Sequence, residues 1–229
     1  MSETDLKSRL LAAARSHVPF DGWSEAALRQ AAAELDVDPA LVAAVLPRGA
    51  VDLALAWHEE GDAAMLARLS RADLGAMRFR DRVAFAVRAR LEAVEDRELA
   101  RRSMTLFALP QNAGDGARAL WSTADRIWTS LGDTSQDINW YTKRATLSGV
   151  YGATLLYWLG DESEGQVATW EFLDRRIEDV MRIEQLKARA RDNRLLAGLM
   201  AGPLSVLGRV RAPQGAQQAG MPGRWGKPG

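Results

Sequence analysis

The sequence predicts an all-α fold, a bundle of about nine to ten helices joined by short, non-repeating connections. Three observations predict it. Apolar residues recur every three or four positions through most of the chain, the period of a helix with one buried face. No segment keeps the two-residue alternation of a half-buried strand. Ser and Asp caps, and Pro and Gly breakers, fall at the ends of the apolar stripes.

The elements follow in order. Ser2 with Asp5 resembles a capping box and opens a helix carrying Leu6, Leu10, Ala14 and Val18, which Pro19 to Gly22 breaks. Ser24 caps a second helix through Leu35. Asp38-Pro39 starts a short third one that Pro47 ends. A helix over about 50–60 is followed by a weaker helical segment to about Leu69. Phe79, Val83, Val87, Leu91 and Val94 mark an amphipathic helix over about 77–95, and Asp96 caps the next, which runs to Leu109. Gly114-Asp115-Gly116 reads as a loop, after which Ala117, Leu120, Trp121, Ala124, Trp128 and Leu131 form a stripe closed by Gly132. A long helix over about 136–159 ends at Gly160, and its small residues Ala145, Ser148, Gly149 and Gly152 would admit a close neighbour. Val167, Trp170, Leu173, Ile177, Val180 and Met181 define one more.

Composition narrows the function classes. Of 229 residues, 47% are hydrophobic and 26% charged, as in an ordinary soluble globular protein. Lys+Arg and Asp+Glu are 30 each, so no broad field attracts nucleic acid. Cysteine is absent, which excludes disulfides, thiolate nucleophiles and thiolate metal sites. The opening Met1-Ser2-Glu3-Thr4-Asp5 lacks the apolar stretch of a secretory signal, and no run reaches the ~20 apolar residues of a spanning helix. A soluble, reducing compartment is the expectation. The two histidines, His17 and His58, lie in the first quarter. His58 and Asp62 share a helical face, but two ligands make a weak metal site, and solvated surface is the plainer reading. No phosphate-cradling loop occurs. Nothing nominates catalytic residues or a metal, and the chain reads as a non-enzyme.

The first three helices, over 1–48, resemble the helix-turn-helix opening of TetR-type regulators. A recognition helix needs donors and acceptors for base edges. The third helix here, Pro39-Ala40-Leu41-Val42-Ala43-Ala44-Val45-Leu46, has no polar side chain. It reads as a buried packing helix, with no nucleic acid as partner; a TetR-type ligand-responsive regulator is the alternative reading of the chain.

The region 117–181 departs from a generic bundle. Five of the eight tryptophans fall between 121 and 170. Burying Trp121, Trp128, Trp158 and Trp170 together gives either a Trp-rich core or an interior with gaps for an apolar ligand. Trp140-Tyr141 is different: two adjacent rings, about 100° apart on a helix, sit among Asp137, Asn139, Lys143 and Arg144. At least one ring is expected at the surface, as an interface anchor.

The strings Asp125-Arg126-Ile127-Trp128, Gly132-Asp133 and Asp137-Ile138-Asn139-Trp140-Tyr141-Thr142-Lys143-Arg144 closely resemble the ninth coenzyme Q biosynthesis protein family. So do Gly149-Val150-Tyr151, Thr169-Trp170-Glu171-Phe172-Leu173 with Arg176, and Gly198-Leu199-Met200. The resemblance covers about 120–208 well and the first half loosely. It implies a TetR-like bundle without DNA binding, dimeric, that supports ubiquinone synthesis by presenting isoprenoid quinone intermediates to the demethoxyubiquinone hydroxylase. No cofactor is implied, only a bound isoprenoid lipid or phospholipid. The partner surface carries over onto Asp125, Ile127, Asp137, Trp140 and Tyr141, with Asn139 and Arg144 beside them. The lipid cavity, defined by apolar lining rather than motif, is expected at Leu120, Trp121, Ala124, Trp128, Tyr151, Leu155, Trp158, Trp170 and Leu173.

Residues 184–211 carry six basic against two acidic side chains. Leu195, Leu196, Leu199, Met200, Leu204 and Leu207 would line one stripe of a basic amphipathic helix, suited either to an anionic membrane interface or to docking on a bundle. The resemblance favours the membrane. Pro203 would kink or break that helix, at roughly 3 kcal/mol. Four regions result: 1–48 helix-turn-helix-like, 49–183 lipid- and partner-binding bundle, 184–211 membrane helix, and 212–229 a Gly/Pro/Gln-rich disordered tail. The implied location is peripheral, on the cytoplasmic face of a bacterial inner membrane or the matrix face of a mitochondrion.

Overall fold

The computed structural model describes residues 2–192, with side chains to Arg182. The expected membrane residues Leu195, Leu196, Leu199, Met200, Leu204 and Leu207, and the tail 212–229, lie outside the described residues. Ten α-helices run through the rest: α1 (Glu3–Ala14), α2 (Val18–Asp21), α3 (Glu25–Glu34), α4 (Pro39–Val45), α5 (Ala50–Leu69), α6 (Phe79–Glu92), α7 (Arg97–Ala108), α8 (Ala113–Ser130), α9 (Ile138–Leu159) and α10 (Val167–Asp192). No strand occurs among the described residues, and none of their helices is both long and apolar enough to cross a membrane.

Side-chain caps fix the helix starts. Ser2 Oγ accepts from the Asp5 amide, Ser24 Oγ from Ala27, Asp38 Oδ1 from Ala40, Asp96 Oδ1 from Glu98 and Asp137 Oδ1 from Asn139. Each satisfies one of the orphan donors of a first turn. Two boundaries differ from expectation. The break at Pro19–Gly22 contains the short helix α2, with Pro19 in its first turn where no amide donor is missed. The Gly114-Asp115-Gly116 loop is instead the first turn of α8. Asp115, favoured at a positive helix end, accepts from Arg48 at 2.9 Å and from Arg118. Gly116 is required there, because a Cβ would lie 2.7 Å from the Phe107 Cβ.

The described residues form two compact units, one of residues 2–72 and 89–119, the other of 73–88 and 120–192. Helix α10 continues unbroken through residue 184. Periodicity marks helix ends, whereas the grouping of helices depends on which faces meet.

The first unit packs α1 against α3 and α5. Leu6, Leu10, Ala14, Ala27, Ala31, Leu53 and Ala54 are all buried. Trp23 is buried with its Nε1 donating to the Leu99 carbonyl at 3.2 Å, and its ring lies 5.8 Å from Trp57. Two expectations fail here. Helix α4 is not a buried packing helix: it buries Val42, while Ala40, Leu41, Ala43 and Ala44 are exposed. At seven residues it is too short to bury more than one turn-face. His58 and Asp62 are not solvated surface either. Arg90, 2% exposed, donates from Nε to Asp62 Oδ1 at 2.7 Å and from Nη2 to the His58 carbonyl at 3.1 Å, and Asp62 is 1% exposed. Gly61 admits the guanidinium, since a Cβ there would sit 2.5 Å from Arg90 Nη1.

In the second unit α9 packs on α10, with the first ten residues of α6 and the end of α8. Val83, Val87, Ala124, Ile127, Leu147, Tyr151, Trp158, Leu173 and Ile177 are buried. Of the small residues on α9, Ser148 and Gly152 meet α8 at Leu120: Ser148 Oγ donates to its carbonyl at 3.4 Å, and a Cβ on Gly152 would lie 3.4 Å from its Cδ1. Ala145 and Gly149 are exposed. Asp161 ties the α9–α10 turn, accepting from the Ser163 amide at 2.8 Å and the Thr169 hydroxyl at 2.5 Å. Hydrogen bonds from Ser163 and Thr169 hold its carboxyl well below the usual range.

Candidate functional site

Positions 139, 142, 143, 146, 147 and 150 recur at helical spacing and form one face of α9. This face walls a cavity of about 280 Å³ within the second unit. Its side chains change from polar to apolar along the helix: Asn139, Thr142, Lys143 and Thr146 first, then Leu147 and Val150. The eleven helical steps from 139 to 150 span ~16 Å. Ile177, Val180 and Met181 of α10 and Val83 of α6 add to the apolar wall, while Arg80 joins the polar residues. Phe79 stacks on Trp128 at 5.7 Å, and both rings line the cavity. Phe79, Met181, Asn139, Thr142 and Thr146 are all exposed, so the cavity is open to solvent.

Beside the cavity lies a buried charge cluster. Arg144, 2% exposed, donates from Nε to Asp125 at 2.5 Å and from Nη1 to Asp133 Oδ2 at 2.9 Å. Lys143 donates from Nζ to Asp133 Oδ1 and to Ser135 Oγ, each at 2.7 Å. Burial by itself would raise the Asp133 carboxyl; the hydrogen bonds from Lys143, Arg144 and Ser135 override it and hold the group at about 2. The one carboxylate thus joins a cavity-lining lysine to a fully buried arginine.

The arginine in turn supports rings. Its guanidinium lies 4.1 Å over the Trp140 ring and donates to the Trp140 carbonyl at 3.2 Å. Trp140 meets Tyr141 edge-on at 4.8 Å, and Trp121 lies 5.9 Å from Trp140 and 6.5 Å from Tyr141. The Trp121 Nε1 is buried with no acceptor among the described residues.

The family model COQ9 matches residues 113–184, which contain the cluster and most of the cavity wall. The chain is 30% identical over 218 residues to the Rattus norvegicus protein named "Ubiquinone biosynthesis protein COQ9, mitochondrial", covering 90% of this chain and 69% of that one. The chain belongs to the COQ9 family. The Xenopus tropicalis COQ9 protein is 33% identical over 188 residues, or 79% of this chain, and the chain spans 59% of that relative's length. The Homo sapiens COQ9 protein is 29% identical over 219 residues, covering 90% of this chain and 67% of that one. The fold also matches a solved TetR transcriptional regulator from Nitrosomonas europaea, with TM-score 0.62 and 19% identity over 76% of this chain and 97% of that one. The TetR-like all-α fold read from the sequence is what the structure has.

The expected site residues of this COQ9 family member fall in several different environments. Of the lipid-binding set, Trp128 lines the cavity. Trp121, Ala124, Tyr151, Leu155, Trp158 and Leu173 are packed core, Leu120 is half-buried against α9, and none of the seven lines it. Trp170 does not line it either: it is half-buried, lies under Arg88 at 4.6 Å and donates to the Gly165 carbonyl at 2.9 Å. The four tryptophans therefore do not share one interior. In the partner-facing set, Trp140, Ile127 and Arg144 are 3%, 0% and 2% exposed, so they are not surface anchors. Asp137 and Asn139 are exposed, and Tyr141 and Asp125 half-buried.

The reason is periodic. Trp140, Arg144, Leu147, Tyr151, Thr154 and Trp158 follow one buried stripe of α9. That stripe was legible, but Arg144 within it disguised the face, because a lone arginine reads as solvent-facing. The cavity walls from α6 and α10 were missed, since a cavity-lining Val and a core Val have the same sequence signature.

Proposed function

We propose that this chain is a non-catalytic accessory protein of ubiquinone biosynthesis that holds an isoprenoid quinone intermediate, or a phospholipid, and presents it to the demethoxyubiquinone hydroxylase at a membrane surface. The cavity carries the reading: it is open to solvent and has a largely apolar wall of Leu147, Val150, Ile177 and Val180. Relatives named for ubiquinone biosynthesis supply the pathway. At about 280 Å³ the cavity lies just below the roughly 300–1,000 Å³ of small-molecule sites. It takes a ring or a short stretch of prenyl chain, and a long tail stays largely outside. Burying one five-carbon prenyl unit gains roughly 4 kcal/mol before the costs of binding, at ~0.8 kcal/mol per carbon.

The partner surface in this reading comprises Asp137, Asn139 and Tyr141, with Asp125 at its edge and Trp140 and Arg144 beneath as support. The Leu/Met residues between 195 and 207, within the basic segment 184–211, are the membrane contact in this reading, and the exposed Leu156, Tyr157 and Val167 offer an apolar face for a second copy. The regulator reading gains nothing from the structural likeness, which concerns the fold; α4 exposes Ala40, Leu41, Ala43 and Ala44, none able to hydrogen-bond a base edge through its side chain.

Solvent extraction and mass spectrometry of the purified protein test the proposal. An isoprenoid or phospholipid is expected near one per chain, and Val150→Trp, which fills the cavity, should remove it. A wild-type extract without lipid overturns the carrier reading.

A further inference from the structure

We propose that the polar end of the cavity is a head-group subsite, in which Lys143 and Arg80 read acceptor oxygens while the tail lies against Val150 and Ile177. This rests on the lipid-binding reading and fixes which way round the ligand lies. Lysine has three donors. Asp133 and Ser135 use two, at 2.7 Å each, and among the described residues the third has no recorded acceptor while the side chain lines the cavity. Those two contacts hold the ammonium in place, so little freedom is lost on engaging a ligand. It lies 5.4 Å over the Trp128 ring, so a ligand head that reaches this cation also meets an aromatic wall.

The placement of donors points the same way. Within the buried cluster Asp125 and Asp133 are matched by Arg144 and Lys143. Arg80 also lines the cavity and meets Asp81 only at 3.8 Å, beyond hydrogen-bonding distance, so its guanidinium can turn to a ligand. Thr146 adds a hydroxyl. The opposite end, Val150, Ile177, Val180 and Met181, has no side-chain donor at all. A head rich in acceptor oxygens on an apolar tail matches this gradient, and a tail-first ligand would bury its oxygens among side chains that cannot pair them. Quinone carbonyls and a lipid phosphate share that chemistry.

Native mass spectrometry of the full chain, titrated with three probes, tests the subsite. They are a decyl-substituted dimethoxymethylbenzoquinone, dioctanoyl phosphatidylglycerol and farnesene, an isoprenoid hydrocarbon without oxygen. At least one oxygen-headed probe should bind more tightly than farnesene, and which one identifies the head. Lys143→Met should weaken that probe roughly tenfold, the scale of one charge-assisted hydrogen bond, and leave farnesene unchanged. Lys143→Arg should retain most of the preference. Arg80→Met, which leaves Asp133 untouched, should act in the same direction as Lys143→Met, so the result does not depend on the cluster surviving. Equal loss of all probes in both methionine variants, or no preference over farnesene in wild type, overturns the subsite while lipid binding stands. Failure of every probe to bind wild type overturns both.

Discussion

Replacing Arg144 with Met leaves a side chain of similar length in a position that is 2% exposed, and removes all the charge. Three hydrogen bonds go, to Asp125, Asp133 and the Trp140 carbonyl, together with the contact over the Trp140 ring. The loss is unequal across partners. Asp125 keeps 20% of its side chain in solvent and can rehydrate, but Asp133 keeps 3% and would rely on Lys143 and Ser135. Removing one partner of a buried ion pair costs roughly 3–5 kcal/mol, mostly through the charge left behind. Urea unfolding followed by tryptophan fluorescence should show that loss, because Trp121 and Trp140 report from beside the arginine. Adding Asp133→Asn to Arg144→Met removes the stranded carboxylate and should recover at least about 1 kcal/mol. A single Arg144→Met variant within about 1 kcal/mol of wild type would refute the cluster as the support of this region.

The rings give a second expectation. Trp140→Ala opens a buried site and should cost roughly 3–5 kcal/mol, whereas Tyr141→Ala should alter stability far less and weaken hydroxylase co-purification; equal destabilisation in thermal melts would contradict the assigned burial. Acid gives a third. The folded Asp133 group titrates near 2 against an ordinary 3.8, so it contributes roughly 2 kcal/mol above the unfolded value and loses it as pH falls from about 5 toward 2. Urea midpoints at neutral and acid pH should therefore draw closer together in Asp133→Asn, and an unchanged gap would argue against it. Deleting residues 193–229 should lower flotation with anionic liposomes, and equal flotation would assign membrane contact elsewhere.

The sequence by itself determined the helices. Leu6, Leu10 and Ala14, or Trp140, Arg144, Leu147 and Tyr151, carry the 3.6-residue period, and Ser2, Ser24, Asp38, Asp96 and Asp137 cap where polar side chains precede a helical stripe. These are local properties, settled within one or two turns of chain. The COQ9 family strings were legible for the same reason. Tertiary structure alone decided what each face meets. It buried Asp62 and Asp133 with arginine partners 28 and 11 residues away, placed Trp121 with Trp140 rather than with Trp128, and made a cavity from Phe79, Leu147, Val150 and Ile177, which read as ordinary core. Charge and apolarity are written in each residue, but burial and open space belong to the gaps between helices. Those gaps depend on residues distant in sequence arriving together.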